Sequence, residues 1–220
     1  MKKVGVSKVG CTLLLSGTMM LMACSTAWIG QAEEIVAALI PATANIVILV
    51  ATLQGNVSAA DLQSVRSAGA EAGADLQSMQ SLIAQYQKAD AAAQPGLLNQ
   101  IQSTLTAVQA TLNGLLPALH IKDAATEAKI TAVVGILLAE VQSVAEIVPL
   151  ATGGTPPAIK IAAARAAKVR PPLNANEFAE SYNAMMSAKT GNAELDRATA
   201  GLRIHVHGKI ERWASLGLLK

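Results

Sequence analysis

The stretch Leu98–Leu119, LNQIQSTLTAVQATLNGLLPAL, decides the fold. Its apolar residues Leu98, Ile101, Leu105, Val108, Leu112, Leu115 and Leu119 step by three and four. That spacing keeps one seam of a helix turned toward its neighbours. Three other stretches repeat it. Ile35, Leu39, Ala42, Ile46, Leu49 and Leu53 form one seam. Leu62, Val65, Gly69, Ala72, Leu76, Met79, Ile83 and Tyr86 form a second, and Ile130, Val134, Leu137, Val141, Val144 and Val148 form the last. Helices with such seams and short connections predict an all-α fold, an antiparallel four-helix bundle over residues 33–149.

The punctuation agrees with four helices. Gly55 stops the first, and Ser58 with Asp61 three residues later opens the second in the manner of a capping box. Pro95 suits the first turn of the third, which Pro117 ends or kinks. Asp123 caps the fourth and Pro149 ends it. Gly69, Ala72 and Gly73 permit close backbone approach on the second helix. Ile35–Leu53 carries no charge and is nearly long enough to cross a bilayer. With Pro41 and Asn45 inside it, it reads as a core helix, with Pro41 in its first two turns or at a kink.

Residues 150–158 hold Gly153-Gly154 and Pro156-Pro157 and read as a linker. Residues 159–220 then read as a basic helical region that packs back on the bundle. Lys160, Arg165, Lys168 and Arg170 suit a solvated helix, or else a face for an anionic lipid, glycan or acidic partner. Asn174 and Glu177 form another cap, followed by a docking stripe of Phe178, Tyr182, Met185 and Met186. Asn192–Leu219 is expected to be helical, although Leu202–His207 alternates as a strand would.

The amino end tells where the chain is held. Lys2, Lys3 and Lys8 precede an apolar run with Leu13, Leu14, Leu15, Met19 and Met20, which closes on Leu21-Met22-Ala23-Cys24. This is the layout of an export signal. An ordinary secretory signal or an uncleaved anchor is the plainer alternative. The segment resembles the leader of bacterial lipoproteins, over about the first 25 residues. The resemblance implies that residues 1–23 are a signal peptide removed after Ala23. It further implies that Cys24 carries diacylglycerol, with an amino end that is often acylated, as with palmitate, and that residues 24–32 are a lipidated tether. Two or more acyl chains anchor stably where one does not. By the same resemblance, Ser25 in place of Asp implies the outer membrane, facing the periplasm.

Composition narrows the rest. Cys11 lies in the leader and Cys24 is the lipid site, so no thiol is left for a disulfide or a metal. About 195 mature residues suffice for a sizeable core. Aromatics are sparse (Trp28, Tyr86, Phe178, Tyr182, Trp213), which favours packed helices over a β-sandwich. Residues 24–150 carry 4 basic and 10 acidic side chains, whereas residues 151–220 carry 10 basic and 5 acidic. A net of −6 followed by a net of +5 indicates two regions with different surroundings.

Little in the sequence suggests catalysis. His205-x-His207 is the one pair with metal-ligand spacing; on a strand the rings share a face, but on a helix they diverge by about 200°. Neither a cysteine nor a His-x-x-Glu cluster completes a site. His120 and Met185 could be axial haem ligands, but no Cys-x-x-Cys-His accompanies them. A glycine-rich phosphate loop and a Gly-x-Ser-x-Gly elbow are both missing. Asp61, Glu71, Asp75 and Asp90 fall off the seams, on solvated faces. We therefore expect no metal, no cofactor and no enzyme. The expected function is that of an envelope lipoprotein serving as a structural or protein-interaction module. Its partners would be the membrane, through Cys24, and an envelope protein or a second copy, with no nucleic acid. Two alternatives remain: a carrier of an apolar small molecule within the bundle, or a binder of anionic polymer or lipid through the basic region.

Overall fold

The computed structural model describes residues 27–52, 57–118, 120–149 and 174–206. The all-α expectation is borne out: the described residues form six helices and no strand. They are α1 (Ala27–Thr52), α2 (Ala59–Lys88), α3 (Gln94–Ala118), α4 (Ala124–Ile147), α5 (Ala175–Ser187) and α6 (Ala193–Ala200).

Local chemistry sets most of the helix starts. The Ser58 hydroxyl accepts the Asp61 N–H at 3.1 Å, opening α2. Asp123 Oδ2 accepts the Thr126 N–H at 2.8 Å and its hydroxyl at 2.6 Å, opening α4. Asn174 Oδ1 accepts the N–H groups of Asn176 and Glu177, each at 3.0 Å, ahead of α5. Asn192 does the same for Glu194 and Leu195 ahead of α6. Each cap satisfies backbone donors that have no partner inside the helix. Pro95 lies in the first turn of α3 and Pro117 in its last, while Pro149 follows the end of α4.

The start of α1 differs from expectation. The stretch 24–32 was expected to be a tether, but the helix already begins at Ala27. Trp28 and Ile29 are buried, and the Trp28 ring lies 5.2 Å from the Tyr86 ring at a tilt of 57°. Burying an indole and an isoleucine side chain is worth about 1.5–3 kcal/mol each, enough to order this extra turn and more. Pro41 is consequently mid-helix rather than in the first two turns. It sits on an exposed face, where its missing N–H disturbs no core contact.

The helices pack in a ring: α1 on α2 and α4, and α3 on α2 and α4. The Trp28–Tyr86 contact joins the start of α1 to the end of α2, so these two run antiparallel. Gln102 Nε2, early in α3, donates to the Pro149 carbonyl just past α4 at 3.0 Å, which sets the same relation for α3 and α4. The seam residues Ile35, Leu39, Leu76, Ile83, Ile101, Leu112, Leu137 and Val144 are all fully buried. By length and composition Trp28–Thr52 and Ala124–Ile147 could each cross a membrane, but 50% and 67% of these windows are buried inside the fold. That burial supports reading both as core helices.

At Gly69, α2 approaches α1 so closely that an added Cβ would run into Val47 Cγ2. Valine is stiff about χ1 and cannot turn aside cheaply. Alanine gains about 1 kcal/mol of helix propensity over glycine, yet overpacking costs about 1–3 kcal/mol. Gly69→Ala is expected to lower the stability measured by urea unfolding by about 1 kcal/mol. In a Val47→Ala background the same change should be neutral or stabilising. A stabilising effect in the native background would contradict this packing.

α5 lies over α1 and α4, and α6 packs on α5 and α1. Phe178, Tyr182 and Met186 are buried as the docking stripe required, with Met185 partly buried beside them. The expected helix over Asn192–Leu219 stops at Ala200, and 202–206 is non-helical. Leu202 and Ile204 are buried while Arg203 and His205 are exposed. The reason is a long-range pairing. Asn183 Oδ1 accepts the Ile204 N–H at 2.9 Å, and Asn183 Nδ2 donates to the Ile204 carbonyl at 2.8 Å. One side-chain amide thus meets both backbone groups of Ile204, as a neighbouring strand would.

Candidate functional site

Cys24, the 150–158 linker, Lys160, Arg165, Lys168, Arg170 and His207 lie outside the described residues. His205 is exposed on the non-helical tail. Among the described residues no group of three or more His, Cys, Asp or Glu is placed to hold a metal ion. His120 is exposed and its Nδ1 lies 3.3 Å from Asp61 Oδ1, joining the α3–α4 connection to the first turn of α2. The Ser58 hydroxyl, and after it His120, hold the Asp61 carboxyl below the usual carboxylate range. Glu71 and Asp90 are exposed, as their positions off the seams required, but Asp61 and Asp75, expected on solvated faces as well, are half-buried.

Two arrangements have chemical character. The first is a cleft of about 590 Å³ where α1, α2, the start of α5 and the tail meet. Glu33, Ala37 and Pro41 recur one turn apart along α1, facing Gln80 and Ala84 of α2, with Asn176 and His205 across the mouth. Among the described residues its walls carry two carboxylates and no Lys or Arg, and these favour a positively charged or proton-donating guest.

The second is the contact of α5 with α4, which buries two charged residue types. Lys129 is 5% exposed, and its Nζ donates to the carbonyls of Met186 at 3.1 Å and Ala188 at 2.7 Å. Those carbonyls belong to the end of α5, where a cation satisfies orphan acceptors and complements the helix dipole. Burial lowers the ammonium's pKa from its ordinary value, with Asp196 acting in the opposite sense. Asp196 is itself held low, chiefly by the Thr190 N–H that donates to its Oδ1 at 2.9 Å.

Glu140 is the more unusual member. It is fully buried, and neither carboxyl oxygen has a protein hydrogen-bond partner among the described residues. Burial, reinforced by the Glu177 carboxylate on α5, pushes its pKa up from 4.5 to about 8. At neutral pH it is therefore mostly a neutral acid. An ionised carboxylate without a partner would be too costly there. Burial also pushes the Tyr182 hydroxyl above its ordinary value.

Neither Glu140 nor Lys129 stands out in the sequence. Their signal is that each sits between seam residues of α4, Lys129 beside Ile130 and Glu140 beside Val141, in a helix apolar on nearly every side. Comparison of the chain with protein-family models, curated proteins and solved structures finds no match.

Proposed function

We propose that this chain is a lipid-tethered helical module of the cell envelope, held through Cys24 and acting by structure or protein contact rather than catalysis. The observation that carries this reading is the leader closing on Leu21-Met22-Ala23-Cys24. The early start of α1 supports it. Only Ser25 and Thr26 separate Cys24 from Ala27, so the helical body begins within about 11 Å of the anchoring sulfur's residue at full extension. A tether this short keeps the body against the bilayer surface, and Ser25 favours the outer membrane facing the periplasm. Among the described residues Ile48 is the only large apolar side chain that stands exposed. The partner face we propose is accordingly polar rather than a broad apolar patch on those helices.

Cell fractionation tests the tether. The wild-type protein should sediment with membranes and partition into detergent. Cys24→Ala should either appear in the soluble fraction or accumulate with its leader attached. If Cys24→Ala is processed to the same size and remains equally membrane-bound, the tether reading fails.

The cleft favours a second reading, that of a small-molecule carrier. Its position changes that reading: the guest would lie on the flank of the body beside Glu33 and Glu34, not between the buried seams.

A further inference from the structure

Of the two helices long and apolar enough to cross a membrane, α1 is the more apolar and the less buried: 50% of its window lies inside the fold, against 67% for α4. Core packing therefore explains only the inward half of its composition. On the outward half Ala37, Pro41, Ala44, Ile48 and Thr52 are exposed and follow one another by three or four residues, so they form one stripe. Ile40, Val47 and Ala51 lie half-buried along its edge. No residue between Glu34 and Asp61 carries a charge. The other outward faces differ in kind. Exposed residues of α2 include Gln63, Arg66, Glu71, Gln77 and Gln80, and those of α3 include Asn99, Gln100, Ser103, Thr106 and Asn113. A helix face turned to water normally carries side chains of that polar kind.

The anchor supplies the neighbour for this face. Only Ser25 and Thr26 lie between Cys24 and the start of α1, so a lipid on Cys24 brings this helix to the bilayer before any other. Once the body is held there, a weakly apolar face is enough to decide which side lies down, because the contact has become intramolecular. The face suits the interface and not the hydrocarbon core. Pro41 offers no N–H to the Ala37 carbonyl, an acceptor that headgroup water can satisfy and acyl chains cannot. Glu33 and Glu34 at the amino end of α1 disfavour anionic lipid and favour zwitterionic, amine-bearing headgroups.

We propose that the outward face of α1, from Ala37 to Thr52, lies on the surface of a zwitterionic bilayer and orients the whole body there. α3 is diagonal to α1 in the ring, since both pack on α2 and α4, so its polar outward face is turned away from the membrane and toward a protein partner. The orientation rests on the tether at Cys24, without which so narrow a face would not hold the body to lipid.

Site-directed spin labelling of the protein from its native membrane, reconstituted on vesicles of phosphatidylethanolamine and phosphatidylcholine, tests the orientation. Cys11 belongs to the leader and Cys24 is acylated, so a single introduced cysteine takes the label. Labels at Ala44→Cys and Ile48→Cys should collide with a water-soluble nickel chelate several-fold less often than labels at the exposed α3 positions Thr106→Cys and Ala110→Cys. Their collisions with oxygen should be more frequent, as for a face immersed by about 5–10 Å. In an Ile48→Glu chain the Ala44→Cys label should return to the α3 level while the protein stays on the vesicles. Equal or reversed nickel access, in a chain that floats with the vesicles, overturns the orientation alone. So does an Ala44→Cys label that stays shielded in Ile48→Glu. A chain that is unacylated and does not float overturns the tether, and the orientation with it.

Discussion

Replacing Glu140 by glutamine should make the protein more stable above pH 8 and leave it nearly unchanged at pH 5. The folded-state pKa of about 8 lies above the ordinary 4.5. The fold therefore holds a proton that the unfolded chain has already released. Stability from this group is fully present below pH 4.5 and is lost as pH rises through 8, at about 1.4 kcal/mol per pH unit. Over the whole window the loss approaches about 4–5 kcal/mol, with the upper end set by how rigidly the site excludes water. Glutamine keeps the shape and cannot ionise, so the gap between variant and wild type should open only as pH rises. Glu140→Leu should be at least as stable as wild type even at pH 5, because it also removes two unpartnered buried oxygens. Urea unfolding of the two proteins at pH 5, 7 and 9 measures the difference directly. Parallel stability curves would mean that Glu140 is solvated in the fold.

Truncating Phe178 to alanine should have a comparable effect at every pH. The ring is fully buried where α5 lies on α1 and α4, with Tyr182 beside it at 6.0 Å and a tilt of 51°. Removing a buried phenylalanine ring costs about 3–5 kcal/mol in transfer and cavity terms. For a body of this size that corresponds to a fall in Tm of about 6–20 °C. α5 has only 13 residues, and a helix so short is marginal without its packing face. Far-UV circular dichroism during thermal unfolding should show the drop. A shift under 2 °C would show that α5 contributes little to holding the body together.

What the sequence showed and what it hid divide along the range of the forces involved. Ser58, Asp123 and Asn174 were legible as caps because each acts on backbone donors two or three residues away. The four seams were legible because a 3.5-residue apolar repeat needs no knowledge of the partner. The first turn of α1 was hidden because Trp28 is ordered by Tyr86, 58 residues further on. The end of α6 was hidden because Asn183 offers Ile204 a strand-like pairing that outcompetes continued helix. Glu140 was hidden for the same reason. Its burial comes from tertiary packing, since α4 lies against α1, α3 and α5. Of the sites foreseen, His205 proved to be an exposed residue at the mouth of a cleft. Cys24 and the basic cluster Lys160, Arg165, Lys168 and Arg170 lie beyond the described residues, and their roles rest on chemistry read from the sequence alone.

The leader and the short distance from Cys24 to Ala27 together make the lipid tether the centre of this account. Intact-mass spectrometry of the protein extracted from its native membrane tests it most directly. A lipid tether predicts a chain beginning at Cys24 and carrying the added mass of a diacylglyceryl group, with or without a further acyl chain. A chain that retains its leader, begins elsewhere, or bears an unmodified Cys24 would contradict it.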